Sequence, residues 1–133
     1  MKIMLDTNIL ISAIAFPNPR MNSLFDKIYL RHELFLCSYT LVELARVISK
    51  KFPTMKHRTE EFLADAPYQF VFTPTVSLLK HEVKIRDKND YPILPSAIIS
   101  GMDILITGDK DFQDVVIDKP IILTPTEFLN EKY

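Results

Sequence analysis

Short apolar runs alternate with helical segments along this chain, and this alternation constrains the fold more than any other feature. The runs typical of buried strands lie at 2–5, 34–37, 70–72, 104–106 and 121–123. The first is apolar at every residue after Lys2, as expected for a strand that is covered on both faces. Strands separated by helices form βαβ units around a parallel sheet. The sequence therefore predicts an α/β fold with about five parallel strands and helices on both faces.

Helices are predicted between these runs from the spacing of their apolar residues. The predicted helices lie at 9–15, 21–32, 40–52, 60–66, 76–84, 93–100 and 125–130, with a helical turn at 111–115. Gly101 suits the left-handed position that follows a helix. Gly101 and Gly108 are the only glycines, so each is expected where the backbone geometry requires it. The chain also lacks a glycine-rich phosphate loop, which argues against P-loop and dinucleotide-binding proteins.

Composition is that of an ordinary globular protein, and we expect a single domain over residues 1–133. No apolar run is long enough to span a membrane. Cys37 is the only cysteine, which excludes an intramolecular disulfide and fits a reducing cytoplasm. The net charge is only −1, yet the stretch from Arg46 to Arg58 holds five Lys and Arg residues and no acid. These cations either contact phosphates or complement the C-terminal dipole of their helix.

Acidic side chains occur in four short segments spread over the chain. The segments are Leu5–Asn8, Val42–Glu43, Asp87–Asp90 and Thr107–Asp111. The first and last segments follow predicted strands, and the carboxyl ends of adjacent parallel strands meet at one crevice. Acids gathered there repel one another unless a divalent cation binds between them. The pattern therefore predicts a Mg²⁺ or Mn²⁺ site and indicates that the protein is a metal-dependent hydrolase.

The first three segments also have structural explanations. Asp6 and Asp90 can each cap the helix that follows, a role compatible with facing the crevice. Glu43 fits a capping box with Thr40, in which the glutamate bonds back to the start of its helix. Asp87 is equally explained as a surface-loop residue. From the residues alone, Glu43 and Asp87 therefore remain open between the two roles.

In the last segment, two acids are candidates to cap the same helical turn. Either Asp109 or Asp111 can cap the helical turn that follows, and Asp109 is preferred as the metal-facing residue because it lies nearer the strand. In the sequence Thr124-Pro125-Thr126-Glu127, by contrast, a capping box with proline at the first helical position explains the acid fully. That glutamate is therefore assigned a structural role.

Together the acidic segments resemble the PIN-domain family of metal-dependent nucleases, particularly its toxin-like, VapC-type branch. The matching stretches are 4–13, 38–44, 86–94 and 102–112, in the order and spacing of that family. The resemblance implies a three-layer α/β/α sandwich. It also implies a catalytic and metal-binding quartet of Asp6, Glu43, Asp90 and Asp109, with Asp87 and Asp111 as secondary candidates. Candidates for nucleic-acid contact are Thr7, Asn8, Arg46, Lys50, Lys51 and Thr107.

The resemblance further implies an activity and partners. Members commonly cut single-stranded RNA with Mg²⁺ or Mn²⁺ and leave a 5′-phosphate and a 3′-hydroxyl. Many are toxins that a small antitoxin holds inactive. Toxin-like members often form a homodimer, and the aromatic candidates for that contact, with core packing as their alternative role, are Phe16, Phe25, Tyr29 and Phe62.

Two other functions compete with an RNA-cutting toxin. A haloacid dehalogenase-type phosphatase also begins with an aspartate after its first strand, but it needs a second aspartate where Asn8 stands. The other alternative is a non-catalytic PIN-fold module that binds RNA or a protein. The apparently complete set of acids argues against the second alternative.

Overall fold

The computed structural model describes residues 1–74, 92–131 and 133. The predicted helix at 76–84 and two predicted site residues, Asp87 and Asp90, lie outside these ranges. None of the described helices is long and apolar enough to cross a membrane.

Five parallel strands form the sheet in the described part of the chain. They are β1 (Lys2–Leu5), β2 (Glu33–Cys37), β3 (Tyr68–Val71), β4 (Ile104–Ile106) and β5 (Ile121–Leu123). Their order across the sheet is β3-β2-β1-β4-β5. The predicted α/β fold is thus confirmed. Strand β3 begins two residues before the predicted run because Tyr68 pairs with Leu34 of β2, a register that local sequence does not reveal.

Helices connect and flank the strands. They are α1 (Thr7–Ala15), α2 (Pro19–Arg31), α3 (Ser38–Lys51), α4 (Lys56–Asp65), α5 (Ile93–Ile99) and α6 (Pro125–Asn130), with 3₁₀ turns at Pro53–Met55 and Lys110–Asp114. The core forms two clusters, one on each face of the sheet. In β1, Ile3 and Leu5 belong to the cluster beneath α1, α2 and α3, whereas Met4 belongs to the cluster beneath α5. This alternation produces the three layers of an α/β/α sandwich.

The strand order places a topological switch point between β1 and β4. From β1 the sheet extends through β2 to β3 on one side, and through β4 to β5 on the other. Ligands of open α/β sheets bind at the carboxyl ends of the strands beside such a point. The ladder continues slightly past the strands, since the amide of Asp6 donates to the carbonyl of Ile106 at 3.0 Å. Asp6 and Thr107 are therefore adjacent at the crevice.

Helix α3 begins two residues earlier than predicted, and the capping box considered as the alternative role of Glu43 does not form. The N-cap is Cys37, which makes no side-chain capping bond, and Thr40 Oγ1 lies 3.2 Å from Cys37 Sγ. The cap comes instead from Thr73, after β3, whose Oγ1 accepts from the amide of Tyr39 at 2.9 Å. Glu43 therefore does not have the capping role that its local sequence suggests.

The cap predictions at the start of α6 and at Gly101 agree with the structure. The N-cap of α5 is Pro92, and the predicted cap Asp90 lies outside the described residues. Thr124 and Glu127 form the predicted capping box at the start of α6. Gly101 has φ +71° after α5, and its amide donates to the carbonyl of Ile98, as in a Schellman motif. At Gly108, φ is not positive and an added Cβ would meet nothing within 4 Å. Backbone geometry therefore explains Gly101 and leaves Gly108 without an explanation.

We expect Gly101→Ala to lower the free energy of unfolding by about 1 kcal/mol, because a residue with a Cβ is strained in the left-handed region. The measurement is urea unfolding followed by circular dichroism. Gly108→Ala is the matched control, and we expect it to be neutral or slightly stabilising. Equal losses for the two variants would contradict the assignment.

Candidate active site

Asp6 lies at the end of β1, where it is both the N-cap of α1 and a wall of the crevice. Its side chain is only 5% exposed. Oδ1 accepts from the amide of Thr7 at 2.7 Å, and Oδ2 accepts from the hydroxyl of Thr107 at 2.7 Å. The capping role considered from the sequence is therefore confirmed. The carboxylate is held from two sides by residues that are far apart in the chain.

Thr107 connects the two acidic segments that follow β1 and β4. While its hydroxyl donates to Asp6, its oxygen accepts from the amide of Asp109 at 3.0 Å. Asp109 Oδ1 in turn accepts from the amide of Asp111 at 2.9 Å and caps the 3₁₀ turn at Lys110–Asp114. Sequence reasoning named Thr107 only as a nucleic-acid contact. Its position as the link between two predicted ligands depends on the pairing of β1 with β4.

Glu43 lies in the second turn of α3 and is held by a residue that sequence reasoning missed. The hydroxyl of Tyr39 donates to Glu43 Oε2 at 2.7 Å. The two residues are four apart on one helix, so their side chains lie on the same face. The spacing of four residues could have indicated this contact. The helix was predicted to begin at Thr40, however, which left Tyr39 outside it.

Electrostatics link three members of the predicted quartet. Burial raises the pKa of Asp6 above its ordinary value of 3.8, and the hydrogen bonds from Thr107 and Thr7 oppose that rise. The negative charges of Glu43 and Asp109 raise the pKa of Asp6 further. The structure thus brings Glu43 and Asp109 each close enough to Asp6 to repel its carboxylate.

Asp6, Glu43 and Asp109 lie farther apart than the ligands of a complete metal site. Among the described residues, no three His, Cys, Asp or Glu side chains lie close enough together to hold a metal ion. The fourth predicted ligand, Asp90, lies outside those residues. The described part of the chain therefore supplies a partial set of ligands.

The donor set nevertheless fits a hard divalent cation. Carboxylate oxygens are the ligands that Mg²⁺ and Mn²⁺ prefer, and a bound cation would relieve both the repulsion and the burial cost at Asp6. Thr7 Oγ1 is also buried beside Asp6 and has no hydrogen-bond partner within the described ranges. Such an atom is the expected contact for a bound ion, water or phosphate oxygen.

The remaining candidates lie on α1 and α3. Thr7 and Asn8 are the first two residues of α1, one buried and one exposed. Arg46, Lys50 and Lys51 are exposed on α3. Arg46 and Lys50 follow Glu43 by about one and two helical turns, so they lead away from the acids along α3.

The sequence of this chain matches the model of the PIN domain over residues 2–111, and the chain belongs to that family. The resemblance seen in its acidic segments is therefore confirmed. No curated protein gives a significant match by sequence.

Solved structures share the fold. The chain is similar to a chain of VapBC2 from Rickettsia felis, solved bound to a DNA fragment from its promoter, with 22% identity and a TM-score of 0.71, covering 92% of this chain and 97% of that one. A chain of DNA-bound VapBC from Salmonella typhimurium gives 20% identity and a TM-score of 0.70, covering 92% and 96%. A chain of FitAcB from Neisseria gonorrhoeae gives 19% identity and a TM-score of 0.67, covering 93% and 98%. These likenesses establish a common architecture.

We expect Asp6→Asn to stabilise the metal-free protein at about pH 7. Because the pKa of Asp6 is raised in the folded state, its folding contribution is favourable below the unfolded pKa and is lost as pH rises through the folded pKa. Asparagine still caps α1, but it carries no buried charge. Urea midpoints of the variant and the wild type should therefore differ at about pH 7 and converge at about pH 3.

The control for this measurement is Asp65→Asn at the end of α4, which removes an exposed acid instead of a buried one and should leave the urea midpoint close to that of the wild type. A lower midpoint for Asp6→Asn at neutral pH would show that the carboxylate stabilises the fold, and would remove this argument for a functional charge.

Proposed function

We propose that this protein is a Mg²⁺- or Mn²⁺-dependent endoribonuclease that hydrolyses phosphodiester bonds of single-stranded RNA. The observation that carries the proposal is the buried carboxylate of Asp6 at the switch point, repelled by Glu43 and Asp109. Membership of the PIN-domain family supports a nuclease. The RNA substrate rests on the resemblance of the acidic segments to the toxin-like branch.

In this proposal Asp6, Glu43 and Asp109 hold the cation, and Asp90 is the fourth ligand. A divalent ion bound there lowers the pKa of water and offsets negative charge on a phosphate. Thr107 fixes the orientation of the Asp6 carboxylate, and Tyr39 fixes that of Glu43. Such orienting hydrogen bonds are a usual part of metal sites.

The phosphate path is proposed to follow α3. Arg46 and Lys50 extend from the acids along the exposed side of this helix, with Lys51 beside them. Their charges would hold the RNA backbone while the acids and the cation act on one bond. Thr7 and Asn8, at the start of α1, are proposed as contacts of the phosphate that is cut.

The proposed partners are a small antitoxin protein and a second copy of this chain. Support for the antitoxin comes from the similar structures, which include a toxin–antitoxin complex from Klebsiella pneumoniae. For the homodimer, Phe16 remains a contact candidate because it is 57% exposed. Phe25, Tyr29 and Phe62 instead pack against the core between α2 and α4.

A non-catalytic PIN-fold module is the second candidate function. The observation in its favour is the spacing of the described acids, no three of which lie close enough to hold a metal ion. A module of this kind would bind RNA or a protein without cutting RNA. The two functions differ in their requirement for a divalent ion.

We expect the purified protein to cut single-stranded RNA in the presence of Mn²⁺, and Asp6→Asn or Glu43→Gln to lower the rate by about 100-fold or more. The reason is that each variant removes a charge that holds the cation. The assay is gel analysis of end-labelled RNA with and without a chelator. Glu61→Gln, which alters an exposed acid on α4 paired with His57, should cut at the wild-type rate.

Cleavage that persists in Asp6→Asn would indicate a contaminating nuclease and would overturn the enzymatic proposal. RNA binding without cleavage at any divalent-ion concentration would favour the non-catalytic module.

We expect Arg46→Gln and Lys50→Gln each to reduce the salt dependence of single-stranded RNA binding. A phosphate contact releases counterions, so the loss of one contact should lower the slope of log K against log salt by about 0.7. Fluorescence anisotropy of a labelled oligonucleotide at several salt concentrations measures this slope. Arg31→Gln is the control because Arg31 lies near the amino end of β2, whereas the site lies at the carboxyl ends of the strands. An unchanged slope in both test variants would assign these cations to the helix dipole instead.

A further inference from the structure

A cavity of about 480 Å³ opens directly beside the candidate active site. One wall is the segment Thr107–Lys110 after β4, and the other is formed by the end of β5 and the start of α6. The cavity shares Thr107 and Asp109 with the site. A group bound in it would therefore lie next to the bond on which the acids act. Its volume falls within the range of small-molecule sites, which is roughly 300–1,000 Å³.

Apolar side chains form part of the cavity surface, beside the polar groups of its lining. Phe112 is 2% exposed and packs in the core beneath it, while the side chains of Val115, Ile117 and Ile122 are only partly buried. Part of their aliphatic surface therefore remains open to the cavity. Such a surface suits the flat face of a ring better than a hydrated, charged group.

The rim of the cavity carries three acids and one cation. The acids are Asp109, Asp118 and Glu127, and the cation is Lys110. Glu127 Oε1 accepts from the amide of Thr124 at 2.9 Å, but a carboxylate has about four acceptor positions and so can accept further hydrogen bonds. Because the acids outnumber Lys110, the rim as a whole favours N–H donors over phosphate. The ligand that fits both the rim and the interior is a neutral, planar group that carries N–H donors.

A nucleobase meets this description. We propose that the cavity binds one base of the RNA strand next to the cleaved bond, and that its acidic rim favours a base with an exocyclic amino group, such as cytosine, over uracil. Carboxylate side chains accept hydrogen bonds from the amino group of cytosine in nucleic-acid complexes. The inference rests on the proposed function, since it takes single-stranded RNA as the substrate.

Most of the residues that would select the base lie outside the family match. The PIN-domain model covers residues 2–111, whereas Ile117, Ile122 and Glu127 come later in the chain. The acids of the site and the far wall of the cavity therefore belong to different parts of the sequence. Substitutions in that wall can change base preference without altering Asp6, Glu43 or Asp109.

The test compares the binding of two labelled oligonucleotides, one of cytidines and one of uridines, in metal-free buffer where no RNA is cut. For the wild type we expect about tenfold tighter binding of the cytidine strand, in line with the discrimination of a well-placed base contact. Ile117→Trp fills the cavity and should bring the ratio of the two affinities close to one. Val116→Trp is the matched control because Val116 is 94% exposed and does not line the cavity.

A second variant tests the rim without changing the shape of the cavity. Glu127→Gln keeps the capping box of α6, since glutamine can replace glutamate there. Its amide can also donate to the carbonyl oxygens of uracil. We expect the preference for cytidine to fall several-fold while the unfolding midpoint stays unchanged.

The same proteins are then assayed for Mn²⁺-dependent cleavage. The binding and cleavage assays together show whether the base site, the proposed nuclease activity or both are wrong. Equal affinities for both strands in the wild type, or an unchanged ratio in Ile117→Trp, overturn the base site even if RNA is cut. Cytidine-selective binding that Ile117→Trp abolishes supports the base site even if no RNA is cut, and then the protein is a binding module. Absence of both binding and cleavage overturns the two proposals together.

Discussion

The hydrogen bond from Thr107 to Asp6 is the contact on which the site depends. It joins residues 101 positions apart, and it forms only because β1 and β4 pair in parallel at the centre of the sheet. Through the same hydroxyl oxygen, Thr107 also receives the amide of Asp109. One buried threonine thus fixes the relative positions of two acids. A shift in the register of β4 would move Thr107 and Asp109 together away from Asp6.

The buried charge of Asp6 is costly to the fold, which is an argument for its function. An N-cap can be serine, threonine or asparagine without carrying a charge into the crevice. In this protein the capping residue is an aspartate whose pKa is raised by burial and by the acids around it. Groups perturbed in this way concentrate at functional sites, where stability is exchanged for chemistry. The hydroxyl of Thr7 is buried beside Asp6 without a partner among the described residues, and its burial is likewise costly to the fold.

Much of the fold could be predicted from the sequence, because apolar runs and cap residues are local signals. The parallel sheet, Asp6 at a strand end and the left-handed Gly101 all belong to this group. Glu43 shows where local signals fail. A capping box explained it well, but the cap of α3 comes from Thr73, which lies more than thirty residues later in the chain. The role of Tyr39 could not be predicted for the same reason, since it depends on where α3 begins.

The crevice has two regions that differ in charge and in the ligand proposed for each. Around Asp6 and Glu43 the carboxylates are partly or fully buried and repel one another, and the ligand proposed there is a cation. On the other side of Asp109 the cavity has apolar side chains together with three acids and Lys110, and the ligand proposed there is a neutral ring. Because Asp109 borders both regions, the RNA would be held by its backbone on one side and by a base on the other. In this proposal, selection among RNA sequences would depend mainly on residues after 111, and the chemistry would depend on acids before them.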